Sequence, residues 1–237
     1  EMFYGCKSLT SAPKLPATTL ANSCYGSMFR YCRNLTSAPE LPATTLANYC
    51  YKGMFSVCTK LTSAPELPAT TLANSCYYGM FSNCTSLTSA PKLPATTLAN
   101  YCYQNMFVDC TNLTSAPELP ATTLSNFCYQ NMFYGCKNLT SATELPATTL
   151  AVYCYQGMFY NCTKLSTVTM VASDSEITSK SNCVCNWLDN AGTDKNVTRT
   201  LIVKDEAAYN ALESNEYYLP DIWKKGQCTM EYYTPKP

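Results

Sequence analysis

The chain has 237 residues, of which 14% are charged, with 16 Lys and Arg balancing 16 Asp and Glu, and it carries 16 Cys, 19 Tyr and no His. A surface this poor in charge has to be built from Thr, Ser, Asn and Tyr, and a balanced total charge gives a polyanion such as nucleic acid no global attraction. Without histidine there is no Ser-His or Cys-His nucleophile pairing and the commonest metal ligand is missing, so no cofactor and no metal are expected. No run of 18 or more apolar residues is present, so no segment of this chain is expected to span a membrane.

Met2-Phe3-x-x-Cys6-x-x-Leu9 at the start is the back half of a unit that then recurs in full. The string Leu-Pro-Ala-Thr-Thr-Leu begins at Leu15, Leu41, Leu67, Leu93, Leu119 and Leu145, always 26 residues apart, which gives six full units after the truncated first one over residues 1–171. A fixed period decides the architecture before local propensity does. A unit cut through its middle cannot cover the apolar edge of its neighbour, so the natural protein is expected to continue N-terminally.

Inside a unit, Leu20, Cys24, Met28 and Cys32 lie four apart with Phe29 beside Met28, the spacing of one helix face. The helix is expected to start near Pro16 to Thr19, where proline suits the first turn and threonine can cap, and to end around Tyr31 to Asn34. The next stretch, Leu35-Thr36-Ser37-Ala38-Pro39, is read as a brief strand. Stacking the units aligns Leu35, Leu61, Leu87, Leu113, Leu139 and Leu165 beside Phe29, Phe55, Phe81, Phe107, Phe133 and Phe159 in one shared core. Strands stack about 4.8 Å apart and helices about 8 to 10 Å, which predicts a curved stack with the strands on its concave side.

The segment Met-Phe-x-x-Cys-x-x-Leu-Thr-Ser followed by Leu-Pro resembles the BspA-type leucine-rich repeat, with Met in place of the family's Ala and Ala38 and its copies in place of the strand isoleucine. The resemblance implies an α/β leucine-rich repeat solenoid, curved, with short parallel strands on the concave face and helices on the convex face. It also implies a surface-exposed or secreted protein of oral or gut anaerobic bacteria, with no enzymatic activity. Such a module would act in adhesion, with a host extracellular-matrix or cell-surface protein or a glycan as its partner. The competing reading is a structural spacer or display stalk for a further N-terminal domain.

Beyond residue 171 the period is lost, and residues 172–237 are expected to form an α+β cap that closes the last apolar face. Cys183 to Leu188 is read as a short helix, Thr200-Leu201-Ile202-Val203 as a strand, Asp205-Glu206-Ala207-Ala208 as a capped helix start, and Cys228 to Tyr233 as a final strand. Asp221, Lys224 and Lys225 around Trp223 supply a polar outer side.

The repeat cysteines coincide with the core face, where a free thiol behaves as a small hydrophobe. Stacked copies such as Cys32 and Cys58 come within disulfide range, but parallel side chains aim the same way rather than at each other. Cys183, Cys185 and Cys228 are the better candidates for a disulfide. Carboxylates at Glu40, Glu66, Glu118 and Glu144, with Lys14 and Lys92 interleaved, recur at one position and form a charge ladder rather than a catalytic pair, since a catalytic site is normally singular. The candidate binding face is therefore the concave ladder Thr36, Thr62, Thr88, Thr114 and Thr140 with Glu40, Glu66, Lys92, Glu118 and Glu144 beside it. The Asn-x-Thr triplets at Asn34, Asn112 and Asn138 arise from the repeat. Tyr31, Tyr78, Tyr134 and Tyr160 vary among units and are expected to be exposed.

Overall fold

The computed structural model describes residues 1–235, and its first regular strand begins only at Ser141. The helix expected in each unit is absent. In its place stands a ribbon of consecutive tight turns, residues 22–31 in the first full unit and 48–57, 74–83, 100–109, 126–135 and 152–161 in the others. Within the ribbon the amides alternate. Those of Cys24, Gly26, Met28, Arg30 and Cys32 donate to carbonyls three residues back at 3.0–3.3 Å, and those of Ser23, Tyr25, Ser27, Phe29 and Tyr31 donate to Asn48, Cys50, Lys52, Met54 and Ser56 of the next unit at 2.8–3.0 Å.

The backbone makes this possible by turning left-handed at every fourth residue: φ is +57° at Ser23, +53° at Ser27 and +63° at Tyr31. An α-helix contains no such residue. A strict four-residue spacing of apolar pairs fits both structures over this length, since a helix drifts only about 40° per four residues. Two of the three left-handed series favour the ribbon: Ser27, Gly53, Gly79, Asn105, Asn131 and Gly157 in one, and Asn83, Asp109, Gly135 and Asn161, after Tyr31 and Val57, in the next; the series Ser23, Tyr49, Ser75, Tyr101, Phe127 and Tyr153 holds none of the favoured types. Gly, Asn and Asp are poor helix formers and the types that tolerate positive φ. Apolar pairs such as Cys50-Tyr51 and Met54-Phe55 turn toward the core, with pairs such as Tyr78-Gly79 and Gln104-Asn105 alternating between such pairs along the ribbon.

The expected strand is also reduced. Units are joined on that side by isolated parallel bridges, such as Ser11 to Ser37, Thr19 to Thr45 and Thr71 to Thr97, rather than by continuous ladders. The reason is Pro39 and its copies Pro65, Pro91 and Pro117, which supply no amide hydrogen. Where Thr143 takes that place, a true strand appears, β1 (Ser141–Leu145). It opens a four-stranded parallel sheet in the order β1, β2 (Thr167–Met170), β3 (Thr200–Val203), β4 (Thr229–Tyr232).

The core consists of side-chain columns. Phe3, Phe29, Phe55, Phe81, Phe107, Phe133 and Phe159 stack with ring centroids 5.4–5.7 Å apart, and the tyrosines from Tyr25 to Tyr155 stack at 5.7–5.9 Å. Offset stacking of this kind is worth about 0.5 to 1.5 kcal/mol per pair beyond the area buried. The Leu35 to Leu165 column is fully buried beside them. Direct backbone hydrogen bonds tie neighbouring units on the turn side as well as the strand side. The thickness difference between helix and strand that predicted curvature is therefore missing.

Residues 172–235 keep the stack going with longer connections. α1 (Asp174–Ser179) starts at Ser173, whose hydroxyl accepts the Glu176 amide, and packs against α2 (Glu206–Glu213), which starts at Asp205, whose carboxylate accepts the Ala208 amide. The helix expected at Cys183 to Leu188 is instead part of a seventh turn ribbon, with positive φ at Asn182, Asn186 and Asn190. Tyr153, Tyr155, Gly157, Phe159 and Asn161 donate to Ser181, Cys183, Cys185, Trp187 and Asp189. Cys183, Val184, Trp187, Leu188 and Ala191 thereby occupy the buried positions of Cys154, Tyr155, Met158, Phe159 and Cys162. The β3 strand and the start of α2 lie where the sequence placed them, and β4 lies within the stretch predicted as the last strand.

Two stability outcomes are expected. Phe81→Ala removes a ring stacked on both faces and should cost about 3 to 5 kcal/mol, whereas exposed Thr88→Ala should stay within about 0.5 kcal/mol; equal urea midpoints for the two would contradict this core. Val57, a β-branched residue at φ +64°, carries strain that Asn83 and Asn161 avoid at the same position. Val57→Asn should raise stability by about 1 kcal/mol, read as a higher denaturation midpoint.

Candidate binding surfaces

The threonine ladder is exposed, as the sequence indicated: Thr36, Thr62, Thr88, Thr114 and Thr140 lie in a row at the solvent side. Its hydroxyl protons are largely committed. Thr36 Oγ1 donates to the Thr10 carbonyl at 3.1 Å, and Thr62, Thr114 and Thr140 donate in the same way to Thr36, Thr88 and Thr114 at 3.2–3.5 Å. What the row offers a partner is mainly oxygen lone pairs.

Beside it, no backbone hydrogen bond links residues 39–43, or their copies, to the units on either side through residue 121. Shallow grooves open there between successive units. One of about 520 Å³ is lined by Pro91, Lys92, Pro94, Pro117, Glu118 and Pro120, one of about 380 Å³ by Pro39, Glu40, Pro42, Pro65, Glu66 and Pro68, and one of about 310 Å³ by Lys14, Pro16, Pro39, Glu40 and Pro42. Two prolines per segment remove two donors, so these grooves too are rich in acceptors. Glu40, Glu66, Lys92 and Glu118 are exposed, and none of them forms an ion pair; among the described residues the ion pair present joins Lys224 to Asp221 at 2.8 Å. Glu144 differs from its copies. It is half-buried and accepts a hydrogen bond from the Tyr233 hydroxyl at 2.7 Å, so the C-terminal segment holds it.

The turn side is chemically different and varies from unit to unit. Its outward positions read Gly26, Lys52, Tyr78, Gln104, Gln130, Gln156 in one column and Arg30, Ser56, Ser82, Val108, Tyr134, Tyr160 in another. Tyr31, Tyr78, Tyr134 and Tyr160 are half-exposed, and Tyr49 and Tyr101 are exposed. Tyr101, Phe127 and Tyr153 stack at 4.6 and 4.9 Å, and Tyr134 on Tyr160 at 4.7 Å, so their ring faces are mutually covered and their edges face out.

Asparagine has a structural role that the repeat pattern left as an open position. The side-chain oxygens of Asn22, Asn48, Asn74, Asn100 and Asn126 accept the amides of Asn48, Asn74, Asn100, Asn126 and Val152, at 3.1–3.2 Å. Asn34 and Asn138 of the Asn-x-Thr triplets donate to the carbonyls of Lys7 and Thr111.

All 16 cysteines are free, including Cys183, Cys185 and Cys228. The direction of one thiol column is set by hydrogen bonds: Cys58, Cys84, Cys110, Cys136 and Cys162 each donate to a phenylalanine carbonyl of the preceding unit at 3.1 Å. Each sulfur is thus aimed at backbone rather than at its stacked neighbour. Burial pushes the thiols up, to about 11 at Cys50 and about 12 at Cys58, Cys102 and Cys110, so they stay protonated and poorly nucleophilic. Among the described residues no cluster of three or more Cys, Asp or Glu is placed to hold a metal ion, and no helix is long and apolar enough to cross a membrane.

Stacked 26-residue units with parallel bridges and a leucine column define a repeat solenoid. A family model described as the BspA type leucine rich repeat region, in six copies, matches residues 1–114 and 75–189, and the chain belongs to that family. Among curated proteins none matches the chain. Among solved structures it is similar to an internalin from Listeria monocytogenes, at 13% identity with a TM-score of 0.36, over 95% of this chain and 60% of that one. The chain thus spans less than two thirds of that structure's length.

The thiol columns give a pH dependence. A thiol whose folded pKa lies above its ordinary 9.0 holds its proton longer in the folded state, so its contribution to stability is whole below pH 9 and is lost as pH rises toward 11–12. Stability should be flat through neutrality and fall steeply above about pH 9. In the native protein alkylation should reach Cys24 readily and Cys6, Cys185 and Cys228 more slowly, leaving the twelve buried thiols until unfolding. Mass spectrometry of native and unfolded samples reads this directly.

Proposed function

We propose that this chain is a non-enzymatic binding module of a surface or secreted bacterial protein, serving adhesion to a host matrix or cell-surface protein or to a glycan. The family supports the setting. The observation that carries the reading is the recurrence, between successive units, of an open proline-lined groove with unpaired Glu40, Glu66, Lys92 or Glu118 beside the exposed threonine row.

Such a strip favours a partner rich in donors, because threonine hydroxyl protons are already committed and proline has none to give. Each unit offers the same modest contact, so affinity grows with the number of units engaged. Glu40, Glu66 and Glu118 against Lys14 and Lys92 leave a small acidic excess, and salt should weaken binding only modestly. The spacer reading is favoured by the near-identity of the units on this side, where a specific protein site usually shows varied residues.

Surface plasmon resonance against a panel of matrix proteins and glycans, followed by in-register deletion of one, two and three internal units, tests the proposal. A graded fall in affinity is the expected result. Abolition of binding by one substitution within 172–235, with the repeats intact, would move the site there, and failure to bind any panel member would favour the spacer.

A further inference from the structure

Charge that balances over the whole chain is segregated along it. Residues 1–65 hold Lys7, Lys14, Arg30, Arg33, Lys52 and Lys60 against only Glu1 and Glu40, and two of the three arginines lie three residues apart in one unit. Glu40, with Lys14, belongs to the strand-side grooves. On the turn side of these units the cations outnumber the one carboxylate, Glu1, which takes the place of Ser27 one period earlier.

There a small pocket of about 140 Å³ is lined by Arg30, Lys52, Ser27, Ser56, Ser82 and Tyr78, with Gly53, Gly79 and Asn105 completing it. Lys52 is held in place by the rings of Tyr78 and Tyr49, its ammonium 5.0 and 5.5 Å from their centroids, and Tyr78 is fixed in turn by Asn105, whose amide donates to its hydroxyl at 3.1 Å. Arg30 lies over the ring of Tyr31 at 5.1 Å, and its Nε is shut off from solvent without a hydrogen-bond partner. Arg30 has no carboxylate partner, so the charge of its guanidinium is left for an anion to neutralise through a charge-assisted hydrogen bond. Gly53 and Gly79, at φ +61° and +58°, add no side chain to the lining; a Cβ at Gly79 would meet nothing within 4 Å, and one at Gly53 would meet the Ser27 hydroxyl at 3.4 Å.

We propose that this pocket on the turn side of the first four full units binds a tetrahedral oxyanion, a sulfate or phosphate group, between Arg30 and Lys52 with the serine hydroxyls as further donors. Two cations, three hydroxyls and a phenol in a space of this size suit one XO₄ group and its ester link rather than a flat carboxylate or an extended polymer. The group comes either as the free inorganic anion or as an ester on a sugar. The site is independent of the strand-side grooves, so the module would have two faces of opposite preference, one for donors and one for anions.

The test uses the intact chain at constant ionic strength. Titration with sodium sulfate, sodium phosphate and N-acetylglucosamine 6-sulfate should give saturable shifts of the Gly53 and Gly79 amide resonances, and sodium chloride none. Arg30→Gln and Lys52→Gln should each weaken binding about tenfold, the loss expected for one charge-assisted hydrogen bond, while Arg30→Lys should be intermediate and Lys164→Gln without effect. Tighter binding of the sulfated sugar identifies an ester as the ligand, and equal binding the free anion. Shifts by chloride as large as those by sulfate, or undiminished sulfate binding in both Gln variants, would overturn the proposal; the wild-type amide shifts decide the matter even if a variant fails to fold.

Discussion

The alternation of amide direction along the turn ribbon is the constraint on which the rest of this structure depends. Every second N–H closes a turn within its own unit, and the ones between reach across to the next unit at 2.8–3.0 Å. A helix would satisfy all its amides internally and leave neighbouring units joined by side chains alone. Here the backbone itself runs from unit to unit on both sides. That fixes the register, so each Phe meets the next Phe, each buried Tyr the next Tyr, and each Asn side chain the amide of its copy.

The same constraint explains an unusually polar core. Thiols form two of its columns, and one of these satisfies itself on the phenylalanine carbonyls. The stacked tyrosines are less settled: the hydroxyls of Tyr51, Tyr77 and Tyr129 are buried without partners. Such groups cost about 1 to 3 kcal/mol each, which the ring stacking and the area buried by the rings offset.

Repetition also divides the surface into two kinds of chemistry. On the strand side the sequence is nearly invariant and proline opens grooves by breaking the ladder, so the same acceptor-rich contact is offered again and again. On the turn side two outward positions alternate with two inward ones, and the outward ones are free to change. Cations gather in the early units, and stacked aromatic and glutamine side chains in the later ones.

The sequence by itself determined the period, the family, the Leu and Phe columns, the buried thiols and the exposure of Thr36 and its copies, because each follows from identical residues returning every 26 positions. It also marked β3 and the Asp205 cap, whose signals are local. Four-residue spacing does not separate a helix stripe from a turn ribbon, because both present it. The distinguishing signal, Gly, Asn or Asp at every fourth outward position, is interrupted by residues such as Tyr31, Val57 and Phe127 that adopt positive φ only because the stack holds them there. Residues 181–190 fall outside the 26-residue period yet carry the four-residue signal at Asn182, Asn186 and Asn190, and they form a seventh ribbon whose carbonyls accept the amides of the sixth unit. Likewise the pocket of Arg30 and Lys52 joins residues from different units, whose meeting is set by the register of the stack and so was decided by tertiary structure alone.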